Sequence, residues 1–201
     1  MAPYFRTAKS FADVSISENG VDIASFLHAS DDFVNMFGDW TSTQMSFGVF
    51  GFVQNDLRSN IGGVRAKHQA TPSSTTLEQL VTTEAKEHQR QGTACLVRLI
   101  RGLYFTCQAL QEMQRDRSAE LHVCFKRSYD VVLRHHHTFI IRSVVTVAIR
   151  AVPHRHDFYN RVSQGAPHDE FDTELEKWLV GLDTIVTRMR QFLEQGGYGK
   201  V

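Results

Sequence analysis

The chain has 201 residues, is 42% hydrophobic and 22% charged, and sets 22 Lys+Arg against 22 Asp+Glu. That length suits one domain over residues 1–201 rather than two, and the composition is that of a folded globular protein, neither disordered nor fibrous. Zero formal net charge withholds the broad positive field of a nucleic-acid binder, and leaves any membrane contact local rather than driven by a basic surface.

The opening residues, Met1 to Lys9, carry no apolar signal-peptide core, so no leader is expected. Phe26, Leu27, Ala29, Phe33 and Phe37 recur at helical spacing, and Asp22 is placed to cap that first helix. Phe47, Phe50, Val53, Leu57 and Ile61 mark a second helix. Leu77, Leu80, Val81 and Glu84 mark a third, capped from the Pro-Ser-Ser-Thr-Thr loop at 72–76. Residues 94–111 and 119–134 give a fourth and a fifth. The Ile and Val content of 138–152 would suit a strand, but no hairpin partner with turn chemistry appears, so this stretch is read as a buried helix. Arg142 and Arg150 interrupt it, and it is shorter than the ~20 residues a membrane span needs. Phe171 to Glu194 is a long amphipathic helix stopped by Gly196-Gly197. No internal repeat is present. Cys95, Cys107 and Cys124 are odd in number, lack CxxC spacing and lie in apolar runs; reduced, buried thiols in a cytoplasmic protein are expected. The fold class read from this pattern is all-α.

Several residues sit oddly in such a pattern. The 94–110 segment is apolar nearly all round except for Arg98 and Arg101, three residues apart and therefore on one face. Unpaired guanidinium groups are costly in such a place, so an anion should meet them. The second helix offers Asp56, the only acid between residues 43 and 62, with Asn60 one turn on and glycine at position 63 on the same face. A structural Asp56–Arg salt bridge is one reading. Two arginines against one carboxylate still leave a positive surplus, which an anionic headgroup would balance. His135, His136 and His137 are consecutive. On a regular helix they diverge by ~100° each and cannot share an ion, so no metal or other cofactor is expected. GxSxG, GxGxxG, P-loop and HExxH patterns are absent, and nothing in the sequence demands catalysis.

Taken together, these pieces resemble the glycolipid transfer protein superfamily nearly end to end, with fungal members looking nearest. Phe11-Ala-Asp-Val and Phe26-Leu-His-Ala-Ser30 resemble its first helix, and Asn55-Asp56-Leu-Arg-Ser-Asn60-Ile its D-x-x-x-N headgroup motif. Leu99-Ile-Arg101-Gly-Leu103 resembles its central R-G-L helix, His136-His137-Thr-Phe139 its H-H-x-[FW] motif, and Ala151 to Tyr159 the proline-marked turn that follows. The resemblance implies a two-layer sandwich of about eight helices around a lipid pocket, with no enzymatic activity. It implies that Asp56 accepts from a ceramide amide N–H, that His137 donates to its carbonyl, and that Asn60 touches the headgroup. It puts Phe139 at the bilayer interface. Candidates for the chain pocket are Phe33, Phe37, Phe47, Phe105, Leu110, Phe125, Val132, Ile141, Val144, Val145 and Ala148.

The departures from the family pattern bear on the headgroup. Glycolipid-binding members carry tryptophan where this chain has Arg98 and lysine where it has Gly63. Members selective for ceramide-1-phosphate carry arginines matching Arg98 and Arg101, but lysine in place of Asn60. The sequence therefore suggests a monomeric, cytoplasmic carrier of one sphingolipid, in transient contact with membranes, with ceramide-1-phosphate favoured. The rivals are a glycolipid carrier, a metal enzyme built on the histidines, and a helical adaptor with a vestigial pocket.

Overall fold

A computed structural model describes residues 4–38 and 50–201, with side chains described throughout except at 36–38 and 50–53. The described residues contain nine α-helical segments: α1 Tyr4–Thr7, α2 Ile23–Gly38, α3 Phe50–Ala70, α4 Leu77–Glu84, α5 Gln91–Arg115, α6 Leu121–Val132, α7 Phe139–Arg150, α8 Arg155–Ser163 and α9 His168–Gln195. The all-α expectation holds. Two-residue strands β1 (Ile16–Ser17) and β2 (Gly20–Val21) make a small antiparallel hairpin that the sequence reading did not anticipate.

The capping signals act as read. Asp22 Oδ1 accepts from Ser25 N at 2.8 Å, and the Thr76 hydroxyl accepts from Gln79 N at 3.3 Å. Gly197 adopts φ 67° just past α9, the left-handed conformation that glycine tolerates best. Several bounds differ, and helix α8 was missed. Helix α3 runs past its last apolar marker, Ile61, through Gly62 and Gly63 to Ala70. Helix α5 runs from Gln91 to Arg115, well past 94–111 at both ends. Residues 155–163, seen in the sequence only as part of a turn, form α8.

Helix α5 is the centre of the fold. It packs on α3, α6, α9 and α4, which explains why Leu96, Leu99, Ile100, Leu103, Cys107 and Leu110 are all fully buried. Its approach to α3 is close: a Cβ at position 63 would overlap the Cys95 sulfur. Only glycine fits there. A second close approach lies on α9, where a Cβ at Gly181 would run into the backbone of Phe11 and Ala12. One hydrophobic cluster joins all these elements, from Phe11 and Phe26 through α5 to Leu182, Ile185 and Met189 of α9.

The 138–152 stretch forms a helix, as expected, but not a buried one. Only Ala148 and Ile149 of α7 are buried. Phe139 is 82% exposed, Ile140 75% and Val147 54%. The Ile/Val run reads as core because of its composition, whereas the helix spreads those residues around its axis and packs mainly against α6. Among the described residues no helix is long and apolar enough to cross a membrane.

Candidate functional site

The five polar residues singled out in the sequence come from α3, α5 and the turn before α7, and the charges of Asp56 and Arg101 both act on His137. Asp56 is exposed on α3. The Asn60 amide donates to the Asp56 carbonyl oxygen at 2.9 Å and to its carboxylate at 3.1 Å. Asn60 itself is 3% exposed. It therefore holds Asp56 from beneath rather than facing outward. No ion pair involving Asp56 or Arg98 forms among the described residues, which removes the expected structural salt bridge.

The two arginines part company. Arg98 is exposed on α5. Arg101 is half-buried, and its guanidinium donates to the Lys200 carbonyl oxygen, from Nε at 2.8 Å and also from a terminal nitrogen. Burial, and after it the neighbouring Arg98 charge, lower the Arg101 pKa. Arg101 thus fixes residues 198–201 against α5, where Gly199 packs on Val97. That segment, with Lys200, borders the site and went unnoticed in the sequence; no local motif marks a long-range backbone acceptor.

The histidine run is not a regular helix, which corrects the geometric premise used against it. Arg134–His136 form a single 3-10 turn, and His137 follows in extended conformation. The His135 and His136 rings lie tilted against each other with centroids 4.1 Å apart. No group of three potential metal ligands occurs among the described residues. His136 is pushed down to about 4, chiefly by burial and then by the Arg101 charge. His137 is also lowered, by burial first; Asp56 opposes the shift while Arg101 and Arg142 add to it. Both rings are therefore neutral at pH 7. The Tyr129 hydroxyl lies 3.3 Å from His137 Nδ1, and Arg142 Nε donates to the His137 carbonyl oxygen at 2.9 Å and to that of Arg134 at 3.0 Å. Tyr129 and Arg142 were both missed as site residues, because each acts through another residue.

Beside this polar cluster lies an apolar cavity of about 60 Å³. Phe33, Phe105, Phe125, Val145 and Ala148, all expected in the chain pocket, line it, as do Val34, Gln54, Leu57, Thr106, Ile149 and Val152. The Nε2 of Gln54 is buried there without a hydrogen-bond partner among the described residues. Leu110 and Val132 are buried in the core away from the cavity, 0% and 3% exposed. Ile141 and Val144 were also expected in its wall, yet they are 38% and 39% exposed, because α7 turns that face outward. Phe47 and the Phe37 side chain lie outside the described residues.

A helical sandwich with a polar cluster and an apolar cavity fits a lipid-carrier class of protein. Comparison with known proteins gives the family. The family model described as "Glycolipid transfer protein (GLTP)" matches residues 21–164. A glycolipid transfer protein of Aureobasidium melanogenum is 33% identical over 94% of this chain and 92% of its own length. The crystal structure of HET-C2, a fungal glycolipid transfer protein, superposes with TM-score 0.85 at 34% identity, covering 95% of this chain and 96% of that one. Human ceramide-1-phosphate transfer protein, solved with 12:0 ceramide-1-phosphate, shares the fold with TM-score 0.82 at 17% identity, over 98% of both chains. This chain belongs to the glycolipid transfer protein family, whose members move lipids and are not enzymes.

Proposed function

We propose that this protein carries one sphingolipid at a time between membranes and that its headgroup site is built for a phosphate. Asp56, oriented by Asn60, accepts from the ceramide amide N–H. A neutral His137 that accepts from Tyr129 at Nδ1 carries its proton on Nε2, free to donate to the amide carbonyl. One acceptor and one donor held rigidly read a secondary amide, which diacylglycerophospholipids lack. Phe139 docks on the bilayer. The protein works as a cytoplasmic monomer and contacts membranes transiently.

The observation that carries the headgroup reading is Arg98: an exposed guanidinium without an ion pair among the described residues, near Arg101. A phosphate offers charge and bidentate acceptors to such a group; a neutral sugar offers neither. A glycolipid is the second reading, supported by the names of the relatives at 33% and 34% identity. Asn60 supports it less than its motif suggested, since its amide is spent on Asp56. Position 63 has no room for lysine while Cys95 stands opposite.

The test is a vesicle-to-vesicle transfer assay with ceramide-1-phosphate and lactosylceramide in competition. Ceramide-1-phosphate should win in the parental protein, and Arg98→Trp should shift preference towards the glycolipid. Asp56→Val and His137→Leu should each cut transfer of either lipid by more than tenfold with helicity unchanged. Transfer of lactosylceramide alone by the parental protein would make Arg98 a bystander and the glycolipid reading correct.

A further inference from the structure

An amide side chain stands where the proposed carrier should present only hydrocarbon. Gln54 of α3 is 4% exposed and lines the apolar cavity together with Phe33, Leu57, Phe105 and Phe125. Its Nε2 has no hydrogen-bond partner among the described residues. Burying an amide without a partner is costly, and a leucine of similar size would avoid that cost. An orphaned donor in a packing position therefore marks a place where a ligand atom completes the bond. The other polar side chain described on this wall is Thr106, whose hydroxyl donates to the Gly102 carbonyl oxygen at 3.0 Å. Its oxygen is left with acceptor capacity.

The position of Gln54 limits what that ligand atom can be. Gln54 comes two residues before Asp56 on α3, a separation of ~3 Å along the helix axis, although the two face different sides. With Asp56 on the ceramide amide N–H, Gln54 meets the chain that enters the cavity within its first few carbons. Sphingolipids vary there in one polar respect. The acyl chain carries or lacks a hydroxyl next to the carbonyl, and the sphingoid base carries or lacks one on its fourth carbon. A hydroxyl accepts and donates, so it can take the Gln54 proton and give its own to the Gln54 carbonyl or to Thr106 Oγ1. It serves whichever way the amide is turned.

Resting on the carrier reading above, we infer that Gln54 is a selectivity residue of the chain pocket, favouring sphingolipids hydroxylated close to the amide on the chain that enters it. Water can serve the Gln54 amide before lipid binds. A plain hydrocarbon chain expels that water and leaves the amide bare, whereas a hydroxylated chain replaces the bond. A site built to hydrogen-bond a hydroxyl rejects the analogue lacking it for this reason. The selection is separate from that of the headgroup, which the polar cluster around Asp56 and His137 reads.

The test is competitive transfer, between phosphatidylcholine vesicles, of three lipids that share one headgroup: a ceramide with plain chains, one with a 2-hydroxyacyl chain and one with a 4-hydroxylated sphingoid base. Running the set with a phosphate and again with a single hexose keeps the result independent of the headgroup. The parental protein should favour one or both hydroxylated lipids by about fivefold or more, and the one favoured identifies the chain that enters the cavity. In Gln54→Leu the preference should vanish, with the urea midpoint of the lipid-free protein equal or raised, since no bond is lost. Gln54→Met, unbranched like glutamine, gives the same readout if the leucine variant packs poorly. Equal transfer of plain and hydroxylated lipids by the parental protein, or a preference retained in both variants, would overturn the inference. So would a lowered urea midpoint with selectivity unchanged, the mark of a structural amide. Transfer of no sphingolipid at all would instead overturn the carrier reading, and this inference with it.

Discussion

At the scale of single residues, the proposed recognition rests on groups that would never touch the lipid. His137 has the needed donor on Nε2 only if Nδ1 accepts, and Tyr129, 2% exposed, is the hydroxyl within reach. Tyr129→Phe keeps the packing against Phe105 and removes that bond. Transfer should fall about three- to tenfold, the range set by one net hydrogen bond, with the melting temperature nearly unchanged. Nitrogen-15 NMR of His137 should show the Nε2–H tautomer in the parental protein and a mixture in the variant. A variant with the parental tautomer and transfer rate would leave His137 positioned by Arg142 and burial alone. Asp56, Arg98 and His137 were legible in the sequence because a charge in an apolar run, or a motif, marks them. Tyr129 was not, since a tyrosine at a helical core position looks like packing.

At the scale of elements, α5 owes its start to a residue from another helix. Its N-cap, Arg90, supplies no side-chain cap bond. Glu84 of α4 does so instead, accepting from Gly92 N at 2.9 Å, Thr93 N at 2.5 Å and the Thr93 hydroxyl at 2.6 Å while 2% exposed. Buried helix N–H groups need such an acceptor, and a carboxylate also complements the helix dipole. Glu84→Ala should cost about 2–4 kcal/mol in urea unfolding, with Glu84→Gln intermediate. A cost within that of a surface substitution would show that water caps α5. The sequence placed Glu84 in the apolar face of α4 by spacing alone. Its partners 8 and 9 residues on lie beyond any helical register. The reading of α7 as buried fails for a related reason: composition says what a helix can bury, and its neighbours decide which side it does bury.

At the scale of the whole molecule, the chain pocket is nearly shut. A cavity of about 60 Å³ falls far below the several hundred Å³ that ligand pockets usually offer. Two lipid chains enter only if the walls part. Helix α7 is the wall most free to move, because it packs mainly on α6 and leaves Ile141 and Val144 outside. Ala148→Trp should fill the existing cavity, reduce transfer at least tenfold and leave vesicle binding intact. Tight packing tolerates added volume badly, so some loss of stability, about 1–3 kcal/mol, should accompany it. Parental transfer rates in that folded variant would mean that the chains take another route.

The sequence alone determined the helical class and most helix positions, and it marked Asp56, Arg98 and His137 as candidates. The helices follow from periodicity and caps, Asp56 and Arg98 from charges in apolar runs, and His137 from the motif that resembles the family's, all local properties of the chain. Tertiary structure decided the rest. It turned Asn60 inward onto Asp56, committed Arg101 to the Lys200 carbonyl, closed position 63 against Cys95 and set the Gln54 amide in the wall of the apolar cavity. Each of these outcomes depends on which distant surface a helix face meets, and helical spacing carries no record of that.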